Sequence, residues 1–348
     1  MRRIDDYLRK LDGVGASDLL LSSGRPPLYR AANELLPLPG EGILPDAELR
    51  AGLQEFVSED DWASLLADQQ LAFVADLGHD VRVRGLCSIG QLGISTRLSL
   101  LRPECASFAE LQLPATIASL ADSESGLVIV TGPVGAGKST LVASLLALVG
   151  QRRTGYIATI ESPVEYLQKS PLAAVSQRAV GRHCASHASA IEAALDTSAD
   201  VIACACLDAE GAFELAVEAA SAGTLVFGEL PGQGAPNALE YLLARAPNQQ
   251  RAQLCSDLAE CLVAVIALDL LPKKGGGRVA AVEVLLCTPN VASLVRDGKI
   301  NILPSLLDRE LGMQSMDRCL LDLATRGLIE GREAYARALD KRAFAAWG

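Results

Sequence analysis

The stretch "LVIVTGPVGAGKST" (127–140) is a short apolar strand that turns through a glycine-rich loop into a helix. Its second part, "GPVGAGKST" (132–140), matches G-x-x-x-x-G-K-[ST]. After a strand and at a helix start, that spacing has a mechanism. Gly132, Pro133, Val134, Gly135, Ala136 and Gly137 form a loop whose backbone N–H groups curl around a phosphate. The helix N-terminus adds a favourable field for the negative charge. Lys138 reaches the β- and γ-phosphates, the Ser139 hydroxyl is a ligand for Mg2+, and Thr140 completes the motif. The expected ligand is a nucleoside triphosphate with Mg2+.

Downstream of the loop, apolar strands and helical patterns alternate: "TGYIATIE", "HASAIEAAL", "ADVIACAC", "GAFELAVEAAS", "GTLVFGEL". Such alternation predicts a parallel sheet covered by helices. From about residue 237 the chain is mostly helical. A hairpin, "LLPKKGGGRVAAVEVLL", interrupts it and turns at glycines 275–277. Upstream the order differs. Residues 1–12 read as an amphipathic helix with Ile4, Leu8 and Leu11 on one face. Strands follow in 16–38, helix in 46–68, and a strand meander in 71–77 and 80–101, which predicts a small α/β domain with an antiparallel sheet. The expected division is a domain over 1–101, a linker over 102–114 and a second domain over 115–348.

Half of the 348 residues are hydrophobic, enough for a packed core, whereas only 4% are aromatic, so that core is built from Leu, Val and Ala. A net charge of −11 argues against a nucleic-acid partner, because such binders present basic surfaces. Nine cysteines (87, 105, 184, 204, 206, 255, 261, 287 and 319) lie in apolar or helical stretches with no paired CxxC spacing. They read as small buried hydrophobes in a reducing compartment. His183 and His187 stand at i, i+4 of a predicted helix, but without a third ligand they read as surface or capping residues rather than a zinc site. No apolar run reaches the length of a membrane span, so the protein is expected to be cytoplasmic.

Several segments in order along the chain resemble the PilT/PilU family of type IV pilus retraction ATPases. "ASDLLLSSGRPP" (16–27) is similar to the family's ASDLHLS-x-G-x-PP, and "ATIESPVEY" (158–166) to its acidic TIEDPIE box. "AGTLVFGEL" (222–230) resembles TGHLVFGTLHT, and "GRVAAVEVLLCTPNVASLVRDGKI" and "GMQSMDRCLLDLATRGLI" resemble the C-terminal region. The resemblance implies an N-terminal PAS-like α/β domain, a C-terminal RecA-like P-loop ATPase domain, and ATP with Mg2+ as ligands. It implies a homo-hexamer, or a mixed ring with an active retraction ATPase, working on an inner-membrane pilus platform protein and peripheral to that membrane through its partners. It also implies arginines reaching nucleotide from the N-terminal domain. Arg82 and Arg84 match one such pair, and Arg97 or Arg102 the later one.

Glu161 keeps the family's acidic-box carboxylate, which implies a catalytic role in orienting the attacking water. Glu165 is kept as well. Elsewhere the chain departs from the family. "DVIACACLDAEGA" (200–212) aligns with DPDIILVGEMRD, so Cys206 replaces the acid and Asp208 the arginine. Thr224 and Pro231 stand at two histidine positions, and Asp200 lies too far upstream to substitute for the acid. Two readings follow: a retraction ATPase with weak hydrolysis, or an inactive regulatory subunit that binds ATP beside an active relative.

Overall fold

The computed structural model describes every residue except 1, 2, 14, 15, 17, 32, 33, 77–81, 102, 103 and 348. Two compact units emerge, one comprising Met1–Glu104 with Ser162–Leu167, the other Cys105–Glu161 with Gln168–Gly348. Residues 105–114, within the segment read as a linker, belong to the second unit.

The first unit holds six strands: β1 (Asp18–Ser22), β2 (Leu28–Ala31), β3 (Glu34–Pro37), β4 (Gln70–Asp76), β5 (Arg82–Gly90) and β6 (Gly93–Leu101). They form one sheet in the order β3-β2-β1-β6-β5-β4, antiparallel throughout. Period-2 patterning decides the buried face, since Leu19 and Leu21 of β1 are buried while their neighbours are half-exposed. Onto the same core pack Ile4, Leu8 and Leu11 of the helix Arg3–Gly13, together with Leu49 and Leu53 of Asp46–Phe56 and Leu65 of Glu59–Asp68. Each such fully buried aliphatic side chain contributes about 1.5–3 kcal/mol of transfer free energy. Asp46 ties the second helix to the sheet, accepting from Ser23 Oγ at 2.7 Å and Ile94 N–H at 3.1 Å.

The second unit carries β7 (Gly126–Gly132), β8 (Gly155–Glu161), β9 (Ala173–Ala179), β10 (Val201–Cys204), β11 (Leu225–Pro231), β12 (Leu262–Pro272) and β13 (Arg278–Leu286). Their order is β13-β12-β7-β11-β10-β8-β9. All neighbours are parallel except the β12–β13 hairpin, whose turn uses three glycines at φ +83°, +104° and +78°. The β7 strand is buried along its whole length, as a parallel strand covered on both faces should be. Two apolar clusters flank the sheet. One contains Val128, Val130, Ile157, Ala203 and Phe227 with Leu141 and Leu145 of the helix Lys138–Arg152. The other contains Ile129, Ile160, Cys204 and Val226 with helices on the opposite face. The fold is therefore α/β in both units, as the sequence implies. β9 is an addition. Its "AAVSQRA" alternates little because it is an edge strand with mostly half-exposed residues, and periodicity alone does not reveal it.

Candidate nucleotide-binding site

In an open parallel sheet, ligands sit outside the carboxyl ends of the strands. Here β7 delivers the loop 132–137 to that edge, and β11, β10 and β8 deliver Glu229, the segment 205–208 and Glu161 to the same edge. Gly135 and Gly137 adopt φ of +82° and +94° with nothing within 4 Å of a hypothetical Cβ, so the loop keeps open space over its amides. Gly132 is required for another reason: a Cβ there would stand 2.5 Å from the Leu268 carbonyl. The helix Lys138–Arg152 begins immediately after the loop with its first N–H groups facing it. The loop thus presents open, amide-lined space at the sheet's carboxyl edge.

Lys138 Nζ donates to the Gly132 carbonyl at 2.9 Å and to the Pro133 carbonyl at 3.1 Å, which folds the ammonium over the loop. Burial holds its pKa below the ordinary lysine value, while the charges of Glu229 and Asp208 oppose that shift. Ser139 Oγ donates to Glu229 Oε2 at 3.0 Å. Oxygen donors of this kind, a hydroxyl beside a carboxylate, suit a hard cation such as magnesium.

Sequence reasoning passes over Glu229. It occupies the threonine position of the family's TGHLVFGTLHT, and the signal for it is an acid inside an otherwise apolar strand, "LVFGEL". Its residue is only 6% exposed.

Glu161 ends β8, accepting from Thr159 Oγ1 at 2.6 Å and Gln177 Nε2 at 3.0 Å. Both donors fix the carboxylate's direction. Cys206 lies two residues beyond the end of β10, and its thiol donates to Asp208 Oδ1 at 3.1 Å. Desolvation, then the Asp208 bond and charge, push that thiol up to about 11. At neutral pH it is uncharged. The Asp208 carboxylate accepts that thiol and lies within electrostatic reach of Lys138, and its backbone carbonyl accepts from Arg245 at 3.1 Å.

The two substituted histidine positions are far apart. Pro231 ends β11 at the loop's edge, level with Gly132. Thr224 precedes the seven-residue strand, roughly 20 Å away at the opposite edge, and donates to the Ala199 carbonyl at 3.3 Å. Its substitution removes nothing from the phosphate side of the sheet. Asp200 likewise serves the amino edge, accepting from Tyr156 N–H at 2.7 Å.

Of the four arginines, Arg82 donates to the carbonyls of Val164 (3.2 Å) and Glu165 (2.5 Å), and Arg84 is ion-paired with the Glu165 carboxylate. Arg97 pairs with Asp18 at 2.8 Å. Arg102 lies outside the described residues. The two histidines do not share a helix, because the helix begins at His187 with Ser186 as its cap. His183 sits in the preceding turn, its Nδ1 accepting from Ala179 N–H at 3.0 Å. A serine cap three residues before Ser189 outcompetes the longer helix that the i, i+4 spacing suggested. Among the described residues no group of three or more His, Cys, Asp or Glu is placed to hold a metal ion, and no helix is long and apolar enough to cross a membrane.

The family model for type II/IV secretion system proteins matches residues 80–275. The Escherichia coli K12 protein YggR, itself uncharacterized, is 37% identical over 85% of this chain and 90% of its own. The type IV pilus retraction ATPase PilT of Pseudomonas aeruginosa is 31% identical over 93% of this chain and 94% of its own. The crystal structure of the pilus retraction motor PilT with bound ADP superposes with a TM-score of 0.86, covering 98% of both chains at 31% identity. With a complete phosphate loop at the sheet's carboxyl edge and these full-length likenesses, the chain belongs to the type II/IV secretion system family, in its PilT/PilU branch.

Proposed function

We propose that this protein binds ATP with Mg2+ and acts in a type IV pilus system, contributing to pilus retraction and twitching motility. The observation that carries the proposal is the loop itself: open space over Gly135 and Gly137, with the Lys138 ammonium folded over the loop and the Ser139 hydroxyl at the start of the helix that follows. The family's ATPase chemistry and the ADP bound by the PilT crystal structure support nucleotide as the ligand. Magnesium, when bound, neutralises charge on the β- and γ-phosphate oxygens. The chain's part is to bind and to position. The loop amides and Lys138 hold phosphate oxygens, Ser139 offers the hydroxyl that faces the metal, and Glu161 orients a water for in-line attack.

Hydrolysis is weakened because neither Cys206 nor Asp208 supplies what the family's acid and arginine supply. The working assembly is a ring, either six copies of this chain or a mixed ring with an active retraction ATPase, and it meets the inner membrane through a platform protein. A fluorescent ATP analogue in Mg2+ should bind the wild type and bind Lys138→Ala about 10–100-fold more weakly, as the loss of a charge-assisted contact predicts. Equal affinity would remove the loop from the function. Light scattering with Mg–ATP should show a species near six subunits, alone or with an active relative, and a strict monomer in both settings would overturn the ring.

A further inference from the structure

The carboxylate that this family places after the fourth strand of the site is absent at Cys206, yet the site is not without an acid. We propose that Glu229 has taken over the metal-organising role, from a different strand. The inference rests on the nucleotide-binding reading above.

Three observations carry it. First, topology puts β11 directly between the loop strand β7 and β10, with Glu229 paired in register with Val130, two residues before Gly132. Phe227, two residues earlier on the same strand face, packs with Leu141 and Leu145 of the helix Lys138–Arg152, so Glu229 faces the start of that helix. Second, its Oε2 accepts from Ser139 Oγ at 3.0 Å. Two oxygens about 3 Å apart match the edge of an octahedron with arms of about 2.1 Å, the geometry magnesium demands. Third, a carboxylate buried in an apolar strand is costly, and a well-packed apolar residue there would stabilise the fold at least as well. The cost is offset by positive charge: the Lys138 ammonium already lies within electrostatic reach of Glu229, beside the Ser139 hydroxyl it accepts from, and a metal ion would add to it. Cys206 brings no carboxylate, and that of Asp208, although within electrostatic reach of Lys138, accepts from the Cys206 thiol rather than from Ser139.

Glu229 fixes the Ser139 hydroxyl in the free protein and, with nucleotide present, would hold the metal together with it. Magnesium keeps several waters in such sites, and a carboxylate that orients them typically commands about 10–100-fold in metal affinity.

The test is the magnesium dependence of nucleotide binding by the full chain. A fluorescent ATP analogue is titrated in EDTA and in Mg2+ against wild type, Glu229→Gln, Glu229→Thr and, as a control, Cys206→Ala. The wild type and Cys206→Ala should gain affinity from Mg2+. Glu229→Gln and Glu229→Thr should lose about tenfold or more of that gain, with affinity in EDTA unchanged or higher because a negative charge near the phosphates has gone. Electron paramagnetic resonance of Mn2+ added with ADP should show the same loss of bound metal without reference to turnover. Glu229→Thr restores the family's residue at that position, so it decides the matter should Glu229→Gln fold poorly. An equal Mg2+ gain in wild type and the folded Glu229 variants overturns the proposal while leaving Lys138-dependent binding intact. Binding that does not depend on Lys138 instead overturns the nucleotide reading beneath it.

Discussion

The Cys206 thiol donates to Oδ1 of Asp208 across 3.1 Å, so the residues standing where the family has an acid and an arginine are bound to each other. The Asp208 carboxylate keeps its electrostatic pull on Lys138 while it accepts from the thiol. The pair closes the 205–208 turn upon itself, and the loop's own carboxylate contact comes from Glu229.

That pairing fixes how Cys206 titrates. With its pKa pushed up to about 11 by burial and by Asp208, alkylation by iodoacetamide should keep rising about tenfold per pH unit beyond pH 9, where an ordinary thiol levels off. Peptide-resolved mass spectrometry reads this cysteine separately from the other eight. Asp208→Asn should move the inflection downward. A plateau by pH 9 in the wild type would disprove the buried, hydrogen-bonded thiol.

Turnover by the isolated protein is expected to be at least about 10²-fold slower than that of an active retraction ATPase assayed in parallel, since one missing transition-state group commonly has that effect. Cys206→Glu alone should recover little of it, because Asp208 and Pro231 still stand at the arginine and histidine positions. Glu161→Gln should abolish what remains. Ordinary turnover that disappears on Glu161→Gln would refute the weakened-site reading.

Glu283 offers a test of the fold beside the site. Its carboxylate, 3% exposed, accepts from Ala235 N–H at 2.6 Å and Met316 N–H at 3.2 Å, the first residues of two helices. Glu283→Ala leaves the buried Ala235 donor and the half-buried Met316 donor unpaired and should cost about 2 kcal/mol in urea unfolding. Burial raises this carboxyl above its ordinary value of 4.5. The folded state therefore holds the proton more tightly than the unfolded chain. The resulting stability is full below about pH 4.5 and is lost as pH rises through the folded value. Wild type should accordingly lose more stability than Glu283→Gln between pH 4.5 and 7, and parallel curves would contradict the raised value.

Exposed ion pairs should matter far less. Arg326–Asp322 and Lys299–Asp297 are surface contacts with both side chains roughly half or more exposed; Asp322→Asn should change stability by less than about 0.5 kcal/mol, and Asp297→Asn should leave the unfolding midpoint where it is. A larger loss in either would show a structural role that their solvent exposure denies.

Sequence patterning carried the architecture far because its signals are local and strong. The loop announces itself by spacing, and β7, β10 and β11 are continuous apolar runs because both of their faces are covered. Where the reading fell short, the missing information was spatial. Nothing in "AGTLVFGEL" states that Thr224 stops short of the strand that carries Glu229, with only the second beside the loop. Only the strand order brings Ser139 and Glu229, ninety residues apart, within hydrogen-bonding distance. Likewise, the fate of His183 was decided by a single serine cap that shortens its helix.

The assignment of Ser162–Leu167 to the first unit has a practical consequence for dissecting the molecule. The chain crosses between units at 104/105, 161/162 and 167/168, so no single cut yields two intact halves. A fragment ending at residue 104 leaves Arg82 and Arg84 without the carbonyls and carboxylate of 164–165 that engage them. The complementary fragment keeps a six-residue excursion with nothing to receive it, tethered at its first end to Glu161. Excising the first unit therefore removes the anchor on one side of the carboxylate expected to orient water, and ATP turnover by the remaining fragment cannot stand in for turnover by the whole chain.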